Sequence, residues 1–464
     1  MEEKNMQENQ IEQACETPQS DLPQNVGERV PAPVKKHKKA KKVWKIIGHI
    51  FLAFAIFASG ALTFWLSLDK GMRKLIWIKD RIDSDYYQDI SNEQFYSTIF
   101  DAINDDLLDS YSYYMSADEF EASNQSLAGN KGGIGISLNT ATAENEARML
   151  ITRVSGNSPA EAAGLCEGDR IVGFGLTEDG IVESQIFSEF STFLDGLETS
   201  QPMLLKILSD GEEKLVTVSK EHYVENYVFY RTNTVSYGFT GKNNTEWKMK
   251  DNPLTALPDH VAYIRLTQFG GNVTKGFALA MERFRVDGKK DLILDLRGNT
   301  GGYVEDMQNV ASYFGKNTTS NKPLALIADE KGKDSNYYAR GNYYSEYFQE
   351  DSRICVLGDV NTASASECLI GFLLDYGATT YADICLSELS GVAKTFGKGI
   401  MQTTYYLDWI EQDAIKLTTA EIRWPVSKTS IHGRGVLPED GTKVAKESYE
   451  KEGALLAAIA QLYP

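Results

Sequence analysis

The sequence contains one long apolar stretch that has to be kept away from water, from Ile46 to Leu68, broken only mildly by His49. As a helix these 23 residues are about 35 Å long, enough to cross a bilayer. A polar tail without periodicity precedes it, and lysines stand directly before it at positions 35, 36, 38, 39, 41 and 42. The pattern predicts a disordered basic tail over residues 1–42 and a transmembrane signal anchor over residues 43–68.

The basic residues on either side of this stretch predict its orientation. The lysine block lies before it, and only Lys70, Arg73 and Lys74 follow closely. The positive-inside rule therefore places the N-terminus in the cytoplasm and the main part of the chain outside the cell membrane. A cleavable signal peptide is the alternative, because Ala58–Ala61 are small, but the apolar segment is long and the preceding tail extended.

Charge and cysteine content exclude several classes of function. The chain has a net charge of −18, and because its first 45 residues carry nine basic and seven acidic side chains, the remainder carries −20. We therefore expect no nucleic acid partner, since phosphate binding needs basic patches. The five cysteines have no CxxC or Cys/His ligand spacing, and neither HExxH nor GxxxxGK[ST] occurs, so no metal or other cofactor is predicted.

Two smaller units are expected between the apolar stretch and the main body. Residues 75–128 show helical periodicity and predict a small helical segment. In residues 129–222, a glycine loop enters a strand, a second strand follows, Pro159 opens a short helix, and Gly168 begins a turn into a third strand. This order closely resembles that of a PDZ domain, which is rich in β-structure.

The PDZ resemblance implies a binding site for the free C-terminus of another chain. Backbone N–H groups of the glycine loop would hold the carboxylate while the bound peptide adds a strand to the sheet. The residues concerned are Gly132, Gly133, Ile134, Gly135 and Ile136. The alternative is that these glycines only make a tight turn.

The last part of the chain alternates strands with helices, which is typical of an α/β core. A buried strand over residues 291–297 ends in a turn that contains Gly301 and Gly302. Without a Cβ, such a glycine pair lets backbone N–H groups approach a ligand. The stretch from Lys316 to Glu350, rich in Asn, Tyr and Lys, is expected to be a loop.

A hydroxyl group is expected where one strand of this core turns into a helix. Residues 354–357 form an apolar strand, small residues follow, and helical periodicity begins after Ser364 and Ser366. The unpartnered N–H groups and the dipole at a helix N-terminus favour negative charge, so a nucleophile or an oxyanion would be stabilised there. Both serines can equally be simple helix caps.

Five motifs in chain order resemble those of the carboxy-terminal processing peptidases, also called tail-specific proteases. They are Tyr263 to Phe269, Asp295 to Gly302, Thr362 to Glu367, Thr395 to Gly399 with Gln402, and Leu417 to Pro438. The resemblance covers roughly residues 80 to 445 and implies a crotonase-like or ClpP-like α/β serine protease core over residues 223–464. The whole chain is thus expected to be a multidomain α/β protein.

The family resemblance also implies the roles of individual residues. A serine attacks the peptide bond and a lysine is the general base, which by motif gives Ser364 as nucleophile, Lys398 as base and Gln402 as the residue that orients the lysine. The backbone N–H of Ala365 and one glycine of the Gly301-Gly302 pair would form the oxyanion hole. A lysine serves as base near neutral pH only where apolar surroundings lower its pKa.

Some alternatives stay open at this point. Ser364 and Lys398 are 34 residues apart, more than is usual in the family, and the extra residues around Ile384 to Val392 could form a surface loop or lid, which leaves Lys394 as a second candidate base. His432 is a rival base for a Ser-His mechanism.

The function predicted is that of a membrane-anchored extracytoplasmic serine endopeptidase that selects protein or peptide substrates by their free C-termini. The alternatives are a catalytically inactive PDZ adaptor and a hydrolase of non-peptide esters. Because the family includes dimers, a homodimer is a further expectation.

Overall fold

The computed structural model describes residues 38–138, 149–209, 211–239, 256–388, 391–406, 412–446 and 453–462. The chain divides into two units, residues 1–95 and 96–464. The first contains helix α1 (Lys38–Ser67), helix α2 (Lys70–Asp85) and the start of helix α3 (Asn92–Ala102). Within α1, residues Val43–Ser67 are long and apolar enough to cross a membrane.

Helix α1 begins five residues before the predicted start of the membrane anchor at residue 43, while the apolar span Val43–Ser67 starts at that residue. Helix α1 begins at Lys38, so the lysines up to Lys42 are helical rather than part of a disordered tail. Lysine is a good helix former, and extending an existing helix is easier than starting one. The remainder of the predicted tail, residues 1–37, lies outside the described residues.

The second unit begins with the end of the predicted helical segment. After α3 come a π-helical turn (Ile103–Leu107), strand β1 (Tyr113–Met115) and helix α4 (Ala117–Leu127). A capping box of Ser116 and Glu119 starts α4. The purely helical prediction is wrong at β1, because the Asn104 side chain bonds both backbone groups of Tyr114 and holds this stretch extended.

The PDZ-like part consists of short antiparallel strands around its own core. Its elements are β2 (Asn130–Gly133), β3 (Ile136–Leu138), β4 (Ile151–Val154), α5 (Pro159–Ala162), β5 (Arg170–Gly175), α6 (Phe187–Asp195), β6 (Pro202–Ser209), β7 (Glu212–Ser219) and β8 (Glu221–Val224). Strand β2 pairs with β8, β3 with β4, and β6 lies between β5 and β7. Because β8 completes the pairing with β2, this part continues to Val224, beyond the predicted end at residue 222.

The main body has seven-stranded and five-stranded sheets. Its elements are β9 (Val228–Arg231), β10 (Ser236–Phe239), β11 (Val261–Leu266), α7 (Val273–Val286), β12 (Asp291–Asp295), α8 (Val304–Ala311), β13 (Leu324–Glu330), β14 (Lys333–Tyr338), α9 (Tyr344–Tyr347), β15 (Ile354–Gly358), α10 (Ala365–Asp375), β16 (Ile384–Glu388), β17 (Ile400–Tyr406), β18 (Ala414–Arg423), β19 (Lys443–Lys446) and α11 (Gly453–Leu462). The larger sheet has the order β10, β9, β11, β12, β15, β16, β19, and β11 to β19 are parallel.

The central strands of the larger sheet are buried on both faces, which explains their continuous apolar sequence. In β12, Leu292 and Leu294 face the cluster that contains α7, α8 and α10, while Ile293 faces the cluster that contains α11. The α/β prediction is thus confirmed. Whether the core has crotonase-like or ClpP-like topology stays a prediction.

Two segments expected to be loops are strands instead. Residues Leu324–Glu330 and Lys333–Tyr338, within the stretch from Lys316 to Glu350, form the hairpin β13–β14 of the five-stranded sheet. Part of the supposed insertion, Ile384–Glu388, is β16, which lies between β15 and β19 in the larger sheet. Residues 389 and 390 lie outside the described residues.

Candidate active site

Ser364 lies where β15 passes into α10, and its backbone has an unusual conformation. Its φ of 58° and ψ of −117° lie far from the extended conformation of an ordinary N-cap, and its side chain makes no cap hydrogen bond. A non-glycine residue in this region costs of order 1–3 kcal/mol, so the surrounding structure has to hold it. The result is a half-buried hydroxyl that lines a cleft of about 760 Å³.

The turn around Ser364 is held by Asn299, which is fully buried. The carbonyl of Asn299 accepts hydrogen bonds from the N–H of Ala363 and the hydroxyl of Ser366, both at 3.0 Å. Its side-chain amide donates to the carbonyl of Leu266 at 2.8 Å. Asn299 therefore joins the C-terminal ends of β11, β12 and β15, the edge of a parallel sheet where α/β proteins place their sites. Ser366, in contrast to Ser364, is a buried structural residue.

The glycine pair lies directly against Ser364. A Cβ added to Gly301 would lie 2.8 Å from the Cβ of Ser364, and one added to Gly302 would lie 1.9 Å from the carbonyl oxygen of Phe269. Their φ angles are 100° and 137°, so only glycine suits both positions.

Only one of these glycines has an N–H group available for a substrate. The Gly301 N–H donates to the Asn299 side chain at 2.9 Å, which leaves Gly302 as the glycine of the pair that could donate to an oxyanion. Within the described residues, the N–H groups of Gly302 and Ala365 donate to no acceptor. These two groups lie on the same cleft as Ser364.

Glu367 ties the segment of Ser364 to the segment of Lys398. Its carboxylate accepts hydrogen bonds from the N–H of Ser364 at 3.0 Å and from the N–H of Lys398 at 2.9 Å. It also accepts bonds from the hydroxyl of Thr395 at 2.6 Å and from the N–H of Gly397 at 2.8 Å. Burial raises the pKa of Glu367, while these four donors favour the ionised form.

The amine of Lys398 projects into the same cleft as Ser364. Its Nζ lies 4.7 Å from the ring centroid of Tyr111, which belongs to the loop before β1. Burial lowers the pKa of Lys398, the positive charge of Lys416 on β18 lowers it further, and Asp109 opposes the shift. Within the described residues, no hydrogen bond joins the Lys398 amine to the Ser364 hydroxyl.

Gln402 lies on β17 and lines the cleft. Its side-chain amide donates to the hydroxyl of Thr418 at 3.3 Å. Neither Lys394 nor His432 is among the residues that line the cleft, and His432 is exposed.

Sequence reasoning missed Glu367, Asn299, Tyr111 and Lys416. Glu367 could have been found, because Ser364 followed three residues later by a glutamate is the spacing of a capping box. Tyr111 and Lys416 both line the cleft because β1 pairs with β18, and no local sequence pattern predicts this pairing.

The glycine loop of the PDZ-like part is held in place by hydrogen bonds that its backbone carbonyl groups accept. The carbonyl of Ile134 accepts a bond from Ala160 at 2.8 Å, and that of Gly135 accepts one from Ser155 at 2.9 Å. In the described structure, the N–H groups of Ile134 and Gly135 donate to no acceptor. Among the described strands, β3, which contains Ile136, pairs with β4 alone. Gly132 and Gly133 lie on β2.

Comparison with known families divides the chain in the same way as its fold. Residues 260–440 match the model of peptidase family S41, and residues 124–175 match that of the PDZ domain. The first match contains Ser364, Lys398 and Gln402, and the second contains the glycine loop.

Curated relatives extend the similarity to most of the chain. The probable CtpA-like serine protease of Staphylococcus haemolyticus is 25% identical over 82% of this chain and 66% of its own length. That of Staphylococcus aureus is 26% identical over 77% of this chain and 62% of its own length. The chain thus spans less than two thirds of these relatives. Among solved structures, the photosystem II D1 C-terminal processing protease gives a TM-score of 0.45 at 21% identity, covering 84% of this chain and 92% of the other.

Proposed function

We propose that this chain, which belongs to the CtpA-type peptidases of family S41, is a serine endopeptidase anchored in the membrane by α1 and acting on proteins outside the cytoplasm. One observation carries the proposal. Ser364 is held in a strained turn at the N-terminus of α10, on a cleft that also contains the amine of Lys398. The N–H groups of Ala365 and Gly302 lie on the same cleft and have no acceptor among the described residues.

The chemistry is acyl transfer with a serine-lysine pair. The neutral amine of Lys398 takes the proton of the Ser364 hydroxyl as its oxygen attacks the peptide carbonyl. The N–H groups of Ala365 and Gly302 stabilise the oxyanion of the tetrahedral intermediate. The Lys398 ammonium then gives its proton to the leaving amine. A water molecule, deprotonated by the neutral Lys398 amine, attacks the acyl-enzyme, and the ammonium so formed protonates the departing Ser364 oxygen as the carboxylic acid product is released. Gln402 orients the lysine.

A serine-directed fluorophosphonate tests this function on the full-length chain in detergent. We expect covalent labelling of the protein, located at Ser364 by mass spectrometry, because the probe needs an activated nucleophile. Ser364→Ala should abolish labelling, and Ser427→Ala, at an exposed position outside the cleft, should leave it unchanged.

Absence of labelling in the wild-type chain would instead favour the PDZ adaptor. If labelling occurs, matched peptide and ester substrates distinguish a peptidase from a hydrolase of non-peptide esters.

The PDZ-like part is proposed to select substrates by their free C-termini. The N–H groups of Ile134 and Gly135 are available to a carboxylate, and one edge of β3 is available to an added strand. We expect amidation of the substrate C-terminus to raise KM about 10- to 100-fold, since charge-assisted hydrogen bonds of about 1.5–3 kcal/mol are lost. Steady-state kinetics on one unfolded substrate in acid and amide forms measures this, and equal KM values would contradict it.

Localisation and assembly complete the proposal. The lysines that precede Val43 and the apolar length of Val43–Ser67 support a single-pass anchor with the N-terminus in the cytoplasm. A homodimer stays a prediction.

A further inference from the structure

The protonated amine of Lys398 has an aromatic partner that the proposed mechanism does not use. Its Nζ lies 4.7 Å from the ring centroid of Tyr111. The quadrupole of an aromatic ring stabilises an ammonium group placed over its face within about 6 Å. In the described part of the chain, the Lys398 amine makes no hydrogen bond or ion pair, and the Tyr111 ring is in direct contact with it.

This contact favours the wrong protonation state for catalysis. A general base has to be neutral, whereas the Tyr111 ring attracts the charged form. We propose that Tyr111 is a positioning residue that holds Lys398 as an ammonium, apart from Ser364, until deprotonation releases the amine to act. This inference rests on the proposed role of Lys398 as the base.

The position of Tyr111 is fixed by the structure around it. Ser112, which is buried, accepts a hydrogen bond from the N–H of Thr418 at 2.8 Å. The Thr418 hydroxyl donates to Asp109 at 3.3 Å, and β1 pairs with β18 directly after this loop. The ring is therefore held beside Lys398 by contacts on both sides.

The hydrogen bonds that hold the loop before β1 also involve Gln402, the residue proposed to orient the lysine. The Thr418 hydroxyl that donates to Asp109 also accepts a hydrogen bond from the side chain of Gln402 at 3.3 Å. The loop before β1 thus contacts Lys398 through Tyr111 and is linked to Gln402 through Thr418.

Other charged and titratable groups around the Lys398 amine act in both directions. Lys416 on β18 opposes the ammonium and Asp109 in the loop before β1 supports it. Glu367 on α10 binds the backbone N–H of Lys398, and the phenols of Tyr303 and Tyr337 line the cleft. Burial and Lys416 disfavour the charged form of Lys398, whereas the Tyr111 ring favours it. Removal of the ring should therefore make Lys398 easier to deprotonate.

Competitive acetylation tests the proposal without any need for proteolysis. Full-length protein in detergent carrying Ser364→Ala is treated with trace acetic anhydride over a range of pH, and acetylation of Lys398 is measured by mass spectrometry. Exposed Lys428, outside the cleft, is the internal standard for reagent dose. Tyr111→Phe, which keeps the ring, is compared with Tyr111→Leu, which removes it.

We expect the midpoint of Lys398 acetylation to be unchanged in Tyr111→Phe and to fall by about 0.4–1.5 pH units in Tyr111→Leu. An unchanged or higher midpoint in the leucine variant would refute the proposal, as would an equal shift in the phenylalanine variant. Thermal unfolding checks each variant, and Tyr111→Met replaces the leucine variant if that one does not fold. Since Ser364 is absent throughout, the result is independent of whether the chain is a protease.

Discussion

Replacing Lys398 with methionine is expected to lower kcat/KM for an unfolded protein substrate by about 10³-fold or more. Methionine keeps an apolar stem of similar length and removes the amine, so packing is largely preserved while the base is lost. Lys398→Arg should be equally inactive, because a guanidinium group is not deprotonated in proteins. Lys394→Met is the matched control, since this lysine belongs to the same segment but does not line the cleft.

The pH dependence of kcat/KM provides a second measurement on the same residue. In the proposed mechanism the neutral amine is the active form, and burial lowers the pKa of Lys398 from its usual value of 10.5. Activity should therefore rise with pH along a limb whose midpoint lies below 10.5, provided that the substrate does not titrate there. Full activity of Lys398→Met, or loss of activity in Lys394→Met, would mean that another residue is the base.

The parts of this structure that follow local patterns could be predicted from the sequence. Strands β12 and β15 were recognisable because burial on both faces requires a continuous apolar run. The turn that carries Ser364 was recognisable because a strand, small residues and a helical pattern follow one another within a dozen residues. The glycine pair marked a close backbone approach that the structure places against Ser364.

Strands at the edges of the sheets were harder to predict. Strand β14 contains Lys333, Asp334 and Asn336, which have low strand propensity, and it is stabilised by pairing with β13 rather than by its own sequence. Strand β16 was misassigned because a spacing longer than that of the family suggested an insertion. Its apolar run from Ile384 to Leu386 is that of a buried strand.

The cleft combines residues that are far apart in the chain. The hydrogen bond between Ser112 and Thr418 joins residues 306 positions apart, and it places Tyr111 beside Lys398. Such contacts depend on the register of β1 with β18, which a single sequence does not specify. Motif resemblance assigned Ser364 and Lys398 but gave no information on what surrounds the amine.

Replacing Glu367 with glutamine is expected to destabilise the fold by about 2–4 kcal/mol and to lower kcat/KM by about 100-fold or more. The carboxylate accepts bonds from the backbone N–H groups of Ser364, Gly397 and Lys398 and from the Thr395 hydroxyl. An amide has a single acceptor oxygen, so its NH₂ group would face two of these buried donors. Each buried donor left without an acceptor costs about 1–3 kcal/mol.

Glu305→Gln is the matched control for this substitution, because Glu305 also lies in the first turn of a core helix. Its side chain is 71% exposed and pairs only with Arg340 among the described residues. We therefore expect the free energy of unfolding to change by no more than about 0.5 kcal/mol. Chemical denaturation measures stability, and kinetics well below the melting temperature separate misplacement of Ser364 and Lys398 from unfolding. If Glu367→Gln kept full activity in its folded state, the link between the two segments would not position the catalytic pair.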